Sequence, residues 1–178
     1  TSSIAFQTLK NQSVLHTCLE TAQEFVAHCG SSAHLAIAGS KEDLAQIVEL
    51  DCEKIECDPN NLVASLPNTS PAELVMFHDS QRALTKVAQF QRVLEALTPG
   101  IDAVRPVSSF TETLKSIDAD QFIEGTIDRN SMKRISTPEL IRYGAIDFKA
   151  ASSTWFVPIK ADAKLATVDA DPESARIN

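Results

Sequence analysis

The feature that most constrains the fold is a regular alternation of helical and strand-like segments. Ser13 can cap a helix whose apolar residues recur at three- and four-residue steps as far as Gly30. Short strand-like segments then lie at 34–38, 54–57, 74–79 and 102–107, and helical patterns separate them at 41–50, 61–66 and 87–97. Strands separated by helices need crossover connections, so the order predicts an α/β fold with a three-layer, mostly parallel sheet that helices cover on both faces.

Length and composition narrow the class of protein. The 178 residues suit a single domain spanning 1–178, and 43% hydrophobic with 22% charged residues is typical of a globular chain. A net charge of −8 argues against a nucleic-acid surface, which needs clustered Lys and Arg. There is no run of 18 apolar residues and no basic, apolar leader, so we expect no membrane contact and a cytoplasmic protein.

The pattern changes in the second half of the chain. Two β-rich runs at 111–117 and 122–127 are joined by Asp118-Ala119-Asp120, which predicts a hairpin within an arm at about 108–135. Exposed hairpins of this kind often pair with another subunit. Residues 155–159, 164–168 and 175–177 are predicted to form the last short strands.

The apolar run that begins at Leu74 ends abruptly in polar residues. In open α/β sheets, ligands bind in the crevice beyond the carboxyl ends of the strands. An acid and a base at that place, Asp79 and Arg82, are therefore candidates for holding a metal ion and a phosphate.

Residues 136–139, Ser-Thr-Pro-Glu, match a capping box with Pro in the first turn. They predict a helix that carries Leu140, Ile141 and Tyr143. A helix N-terminus also favours an anion, which makes Thr137 a candidate phosphate ligand. A cap that only begins a helix explains the pattern equally fully and is favoured by about two to one, because caps are common.

The sequence lacks the motifs of several familiar catalytic and nucleotide-binding sites. No G-x-S-x-G turn is present, and the five glycines form neither a Walker loop nor G-x-G-x-x-G. Cys52, Cys57 and His34 could be considered as a metal site, although reduced thiols are the more ordinary expectation. What remains is a dispersed basic and hydroxyl set that could hold a phosphorylated small molecule: Arg82, Thr113, Lys115, Arg129, Thr137 and Arg176.

Four segments in chain order carry a family resemblance. Residues 77–82 read F-H-D-S-Q-R where the family has V-H-D-A-A-R, and residues 106–115 read P-V-S-S-F-T-E-T-L-K for P-V-x-P-V-T-D-T-I-K. Residues 128–139 correspond to D-R-x-x-L-x-x-x-Q-T-P-Q, and residues 171–178 to D-P-x-N-I-K-I-T. The chain thus resembles the 2-C-methyl-D-erythritol 4-phosphate cytidylyltransferase family, particularly its actinobacterial forms.

The resemblance implies both a fold and an activity. The fold is a nucleotidyltransferase fold of the glycosyltransferase A type, with a projecting β-arm that makes a homodimer. The activity is transfer of CMP from CTP to 2-C-methyl-D-erythritol 4-phosphate with release of pyrophosphate, in isoprenoid precursor synthesis. The implied cofactor is Mg²⁺.

The resemblance also implies roles for individual residues. Asp79 would bind Mg²⁺ and the nucleotide, with Glu173 as a second metal carboxylate, and Asn61 would contact the nucleotide. Arg82 and Arg176 would be catalytic, and Arg176 replaces a Lys near the α-phosphate. The sugar phosphate would be held by Ser80, Arg82, Thr113, Arg129 and Thr137, with Thr113 and Arg129 reaching from the partner's arm.

The chain departs from the family pattern on the nucleotide side. Ile4 stands at the position of the family's catalytic Lys, and residues 58–62 replace its nucleotide-recognising segment. An apolar side chain cannot neutralise a phosphate. Two alternatives to the implied activity stay open. One is a catalytically weak or inactive homologue that binds a sugar phosphate or a partner protein. The other is a cytidylyltransferase for another polyol phosphate, such as ribitol 5-phosphate.

Overall fold

The computed structural model describes residues 3–48, 50, 52–58, 61–68, 72–150 and 156–178. Its α-helices are α1 (Val14–Cys29), α2 (Lys41–Ala45) and α3 (Val87–Ala96). Its strands are β1 (Thr8–Leu9), β2 (Gln12–Ser13), β3 (Ala36–Gly39), β4 (Glu53–Glu56), β5 (Leu74–Phe77), β6 (Ala103–Ser109), β7 (Leu114–Ile117), β8 (Ile123–Ile127), β9 (Lys133–Ile135), β10 (Glu139–Arg142) and β11 (Leu165–Asp169).

The central sheet has five strands in the order β11-β6-β10-β5, with β9 also paired to β6. β11 runs parallel to β6, and β10 runs antiparallel to both β6 and β5. Strands β5, β6 and β11 therefore point the same way, with β10 reversed between two of them. β3 and β4 form a separate parallel pair. The predicted α/β fold with a mostly parallel central sheet is confirmed.

Helix α1 begins and ends as its sequence predicts. The Ser13 hydroxyl accepts a hydrogen bond from the His16 N–H at 3.1 Å, and Gly30 ends the helix with φ of 71°. That positive φ favours glycine because a Cβ is disfavoured there. The Phe25 ring of α1 lies 5.3 Å from the Phe90 ring of α3, which joins the two helices.

Helix α3 covers one face of the central sheet. Its buried Val93 packs with Val104 of β6 and Leu140 of β10 in one apolar cluster. This packing fixes α3 beneath the end of β5, where the polar residues of the predicted crevice begin.

The predicted hairpin is confirmed and is formed by β7 and β8, which pair antiparallel. Asp118 and Phe122 close its turn, with the Asp118 N–H donating to the Phe122 carbonyl at 2.9 Å. Phe122 and Ile123 at the tip are 70% and 67% exposed.

The capping-box prediction for residues 136–139 is wrong. The segment after Pro138 is strand β10, and Tyr143–Ala145 is a short 3-10 helix. β10 lies between two strands that supply its backbone partners, with Leu140 opposite Met76 on one side and Val104 on the other. Pairing on both sides buries apolar surface that a local helix would leave exposed, so tertiary context overrides the capping signal.

Three smaller predictions also differ from the structure. Helix α2 ends at Ala45 instead of about residue 50, and Lys54 Nζ donates to the Leu44 carbonyl in its last turn at 3.5 Å and to the Ile47 carbonyl beyond its end at 2.5 Å. Residues 175–177 form no strand, although the Ile177 N–H donates to the Gln81 carbonyl at 2.8 Å. Of the strand expected at 155–159, residue 155 lies outside the described residues and Ile159 forms an isolated bridge with Ile146. Among the described residues, no helix combines the length and apolar character needed to span a bilayer.

Candidate active site at the end of strand β5

Asp79 lies just beyond the carboxyl end of β5, where the sequence placed it. Its Oδ1 accepts a hydrogen bond from the Gln81 N–H at 3.0 Å, a local turn that fixes the carboxylate. Its own N–H donates to Thr137 Oγ1 at 3.1 Å. With 10% of its side chain exposed, Asp79 presents the other oxygen, Oδ2, to a confined space.

Two arginines from distant parts of the chain face Asp79 Oδ2. Arg176 Nε lies 3.2 Å away and Arg82 Nε lies 3.9 Å away. The Arg176 side chain is 41% exposed, whereas Arg82 is buried. Burial lowers the pKa of Arg82 and the Asp79 carboxylate opposes that change, so the guanidinium remains a cation. The sequence motifs at 77–82 and 171–178 therefore meet in space.

The guanidinium of Arg82 donates hydrogen bonds to two backbone carbonyls. One terminal nitrogen donates to the Ser174 carbonyl at 2.7 Å and the other to the Ile135 carbonyl at 3.4 Å. The planar guanidinium is thereby held between the loop after β9 and the loop after β11. Arg82 ties both loops to the strand end that carries Asp79.

A buried donor and a buried acceptor in this cluster lack hydrogen bonds. Within the described part of the chain, Asp79 Oδ2 and Arg82 Nε are both buried and have no hydrogen-bond partner of good geometry. Leaving such groups unsatisfied is costly, about 1–3 kcal/mol each, and such atoms are found at functional sites. A carboxylate oxygen in this state suits a hard cation such as Mg²⁺.

Thr137 is buried beside Asp79 rather than exposed at a helix end. Its hydroxyl lies 3.0 Å from His78 Nδ1, and the whole residue is 1% exposed. Burial lowers the pKa of His78 to about 4. A hydrogen bond to the Arg82 backbone raises this pKa, and the positive charge of Arg82 lowers it further. The neutral ring can accept a hydrogen bond from the Thr137 hydroxyl, and that hydroxyl accepts a hydrogen bond from the Asp79 N–H. These two hydrogen bonds hold Asp79 in position.

Glu173 lies on the edge of the cluster. Its carboxylate pairs with Lys86 at 2.8 Å, and the side chains are 47% and 62% exposed. The hydrogen bond from Lys86 lowers the pKa of Glu173 below its usual range. Glu173 immediately precedes Ser174, whose carbonyl holds Arg82, so it lies on a site loop but is already neutralised by a cation.

Of the remaining predicted site residues, Ser80 adjoins Asp79 and the others lie on separate segments of the chain. Thr113 is exposed on the β-arm, and Arg129 on the same arm donates to the Thr111 carbonyl. Ser80 is half-buried in the turn after Asp79. Asn61 is exposed, and its N–H donates to the Asp58 carbonyl at 2.8 Å.

Ile4 begins a 3-10 helix, Ile4–Phe6, that packs through Ala5 against α1. Its apolar side chain brings no charge to a phosphate. The roles that the resemblance implies for Ser80, Asn61, Thr113 and Arg129 stay predictions.

The proposed cysteine metal site does not form. Among the described residues, no group of three or more His, Cys, Asp or Glu side chains is arranged to hold a metal ion. Cys52 and His34 line one side of an open depression with a volume of about 530 Å³, formed by α1 and the β3–β4 pair. Cys57 is not among the residues that line it.

Sequence reasoning missed the polar residues that join the site loops. The Ser136 and Ser174 hydroxyls lie 3.0 Å apart, and both residues are buried. Gln89 on α3 is fully buried and contacts both loops. A polar residue beside Phe90 and four residues before Val93, within the apolar face of α3, was the signal that could have identified Gln89.

Asp79, Arg82 and Arg176 meet at the carboxyl end of β5, on a mixed α/β sheet with a projecting hairpin, an arrangement suited to binding a phosphorylated ligand. A family model described as 2-C-methyl-D-erythritol 4-phosphate cytidylyltransferase matches residues 3–154. The chain belongs to that family.

Curated relatives agree over part of the chain. A 2-C-methyl-D-erythritol 4-phosphate cytidylyltransferase from Rhodococcus jostii (strain RHA1) is 37% identical over 91 residues, and one from Rhodococcus opacus (strain B4) is 36% identical. Each match covers 47% of this chain and 40% of the relative's length.

Solved structures agree on the fold over nearly the whole chain. The 4-diphosphocytidyl-2C-methyl-D-erythritol synthase of Anaerococcus prevotii DSM 20548 has a TM-score of 0.70 at 18% identity, covering 99% of this chain and 88% of that one. The 2-C-methyl-D-erythritol 4-phosphate cytidylyltransferase of Thermus thermophilus has a TM-score of 0.69 at 17% identity, covering 98% and 87%. At these identities the likeness establishes the fold.

Proposed function

We propose that this protein transfers CMP from CTP to 2-C-methyl-D-erythritol 4-phosphate and releases pyrophosphate, as a cytoplasmic step of isoprenoid precursor synthesis. Family membership over residues 3–154 supports the reaction class. The single structural observation that carries the proposal is the buried Asp79 carboxylate facing Arg82 and Arg176. Nucleotidyl transfer needs an aligned phosphate nucleophile and neutralisation of developing charge, and this cluster supplies fixed charges of both signs.

Asp79 is the proposed ligand of Mg²⁺. Its buried Oδ2 lacks a hydrogen bond and is a hard oxygen, as that ion prefers. Mg²⁺ is commonly held by one or two carboxylates together with substrate phosphates, so Asp79 suffices as a first protein ligand. Bound there, Mg²⁺ would neutralise charge on the triphosphate. Glu173 is the weaker candidate because its carboxylate already accepts a hydrogen bond from Lys86 at 2.8 Å, whereas Asp79 Oδ2 accepts none of good geometry.

The two arginines have separable roles in this proposal. Arg82 is buried and tied to two carbonyls, so it offers a fixed positive charge to the phosphate of the acceptor. Arg176 is partly exposed and can turn toward the α-phosphate, where charge develops during transfer. No covalent nucleophile is required, since the acceptor phosphate itself attacks.

We propose that the protein works as a homodimer joined by the β-arms. The exposed Phe122 and Ile123 at the tip of the arm, with Ile117 51% exposed, form an apolar surface that a second copy would cover. The arm also carries Thr113 and Arg129. In a dimer these residues would reach the partner's Asp79 cluster and complete the acceptor site together with the buried Thr137.

The experiment is a pyrophosphate-release assay with the full protein, CTP, Mg²⁺ and either 2-C-methyl-D-erythritol 4-phosphate or ribitol 5-phosphate. Turnover above background with the first acceptor and a higher kcat/KM for it than for the second supports the proposal. Preference for ribitol 5-phosphate would reassign the acceptor. Absence of turnover, with calorimetric binding of a polyol phosphate retained, would identify a binding homologue, for which Ile4 gives the chemical reason.

A further inference from the structure

Gln89 is a fully buried polar side chain that the proposed reaction does not use. It lies on α3, next to the buried Phe90 and four residues before the buried Val93, with 0% of its surface exposed. Burying an amide without partners is costly, so a Gln at such a position is retained only where both ends of the amide are hydrogen-bonded.

Both ends of this amide bind backbone groups, and the two groups lie on different loops. Nε2 donates to the Thr137 carbonyl at 2.8 Å, on the loop between β9 and β10. Oε1 accepts from the Asp171 N–H at 2.6 Å, on the loop after β11. One residue of α3 therefore links two loops that are far apart in sequence.

Each loop delivers a group to Asp79. Thr137 places its hydroxyl against the Asp79 N–H, and the segment that begins at Asp171 carries Arg176 to Asp79 Oδ2. An error in the spacing of the loops would move both groups relative to the carboxylate. A displacement of about 1 Å in such a constellation can lower a rate by about 100-fold.

Other residues reinforce the tie without replacing it. The Ser136 and Ser174 hydroxyls lie 3.0 Å apart across the same two loops, Arg82 bridges Ile135 and Ser174, and Arg92 pairs with the Asp171 carboxylate at 2.7 Å. We expect these contacts to keep the loops folded when the amide is lost. They do not reproduce its two hydrogen bonds to Thr137 and Asp171. We therefore expect loss of Gln89 to leave the loops in place but less precisely positioned relative to each other.

From this arrangement we propose that Gln89 is a positioning residue that holds the Thr137 loop and the Arg176 loop in register around Asp79. The inference rests on the proposed function for its catalytic consequence. Gln89 touches no substrate in this scheme and acts through the two backbone groups that it binds.

The test compares Gln89→Met and Gln89→Glu with the wild type and with Leu19→Ala, a core variant on α1 outside the site. Met keeps the approximate length of Gln and loses both hydrogen bonds, whereas Glu keeps the acceptor for Asp171 and can donate to the Thr137 carbonyl only in its protonated form, which burial favours. We expect Gln89→Met to lower kcat for pyrophosphate release by about tenfold or more, with a smaller change in either KM, at a temperature where the variant is folded. Gln89→Glu is expected to fall between Met and the wild type.

A second measurement separates this inference from the proposed function. Amide hydrogen exchange at Asp171 reports the bond to Gln89 directly and needs no turnover. We expect exchange there to be about tenfold faster in Gln89→Met and unchanged in Leu19→Ala. If the wild type has no activity, the proposed function fails and the exchange result alone decides whether Gln89 holds the loops.

The inference is overturned by either of two results. One is a folded Gln89→Met variant whose kcat and KM stay within twofold of an active wild type. The other is Asp171 exchange equal to that of the wild type, because the loops would then be held in register without the amide. A loss of kcat in Leu19→Ala equal to that in Gln89→Met would also count against it, since general destabilisation would then explain the effect.

Discussion

Arg176 Nε lies 3.2 Å from Asp79 Oδ2, so the last residues of the chain supply a cation to a carboxylate at the end of β5. The carboxylate is buried and the guanidinium is partly exposed, at 10% and 41% of the side chains. A partly exposed cation over a fixed anion can exchange partners when a ligand or metal ion arrives. The pair therefore marks where charge is redistributed during the proposed reaction.

Replacing Asp79 with Asn should remove the proposed Mg²⁺ ligand while keeping the shape of the side chain. We expect kcat/KM for pyrophosphate release to fall by about 100-fold or more, because a transition-state charge contact is lost. Steady-state kinetics across a Mg²⁺ titration measures the effect. The exposed Asp162→Asn variant is the control and should match the wild type. A D79N enzyme with wild-type kinetics would exclude Asp79 as a ligand.

Replacing Arg176 tests its role through the charge that it carries. Arg176→Ala should lower kcat by about 100-fold, since a cation near the developing charge is removed. Arg176→Lys keeps a point charge at a partly exposed position and should retain most of the activity. The two variants are compared by kcat at saturating CTP. Equal losses in both variants would indicate that the planar guanidinium is required rather than its charge.

Breaking the buried ion pair between Arg105 and Glu139 should cost more stability than breaking an exposed pair. Glu139 is 2% exposed and Arg105 14%, and Arg105 also donates to the Val157 carbonyl at 3.0 Å. Glu139→Gln leaves a buried cation and should lower the free energy of unfolding by about 3–5 kcal/mol.

The matched control for Glu139→Gln is Glu73→Gln, which breaks the exposed pair with Arg142. That pair is open to solvent, with side chains 88% and 33% exposed, so the change should be about 0–1 kcal/mol. Urea unfolding measures both variants. Equal shifts in the two would show that the Arg105 pair is solvated.

Cys18 should give the stability of the protein a distinct alkaline pH dependence. Burial, with a smaller effect of the Asp79 carboxylate, raises the pKa of its thiol from 9.0 to about 12. The unfolded chain ionises Cys18 as the pH passes 9 and the folded chain does not, so the folded state loses stability between pH 9 and about 12 and is unaffected below. Cys18→Ala should flatten this part of the profile.

The control for the cysteine prediction is Cys29→Ala, since Cys29 is half-buried. The Cys18 thiol should also react with an aromatic disulfide reagent only after unfolding, because the thiolate is the reacting form. Rapid modification of Cys18 in the folded protein would contradict its burial.

The β-arm should determine the oligomeric state. Phe122→Lys places a charge on a residue that is 70% exposed in the monomer, so it should leave folding intact and shift the protein from dimer to monomer. Sedimentation velocity measures the shift. Leu165→Lys, at a position 43% exposed outside the arm, is the control and should remain dimeric. A Phe122→Lys protein that stays dimeric would place the interface elsewhere.

The sequence by itself determined the parts of this protein that depend on short-range chemistry. The cap at Ser13, the apolar face of α1, the Gly30 end and the hairpin turn at Asp118 each follow from residues within a few positions of one another. The same holds for Asp79 and Arg82, because an apolar strand that ends in polar residues delivers them to the edge of a sheet. Local periodicity and turn chemistry are readable without the rest of the chain.

Only the tertiary structure decided that residues 139–142 form a strand and not a helix. The local signals for a helix at Ser136 and Glu139 were sound, but β5 and β6 offer backbone partners on both sides and bury Ile141 completely. Long-range pairing also brought Arg176 to Asp79 and enclosed Gln89 between two loops. These relationships depend on which distant segments become neighbours, and the free energy of burial that selects them is shared across the whole fold.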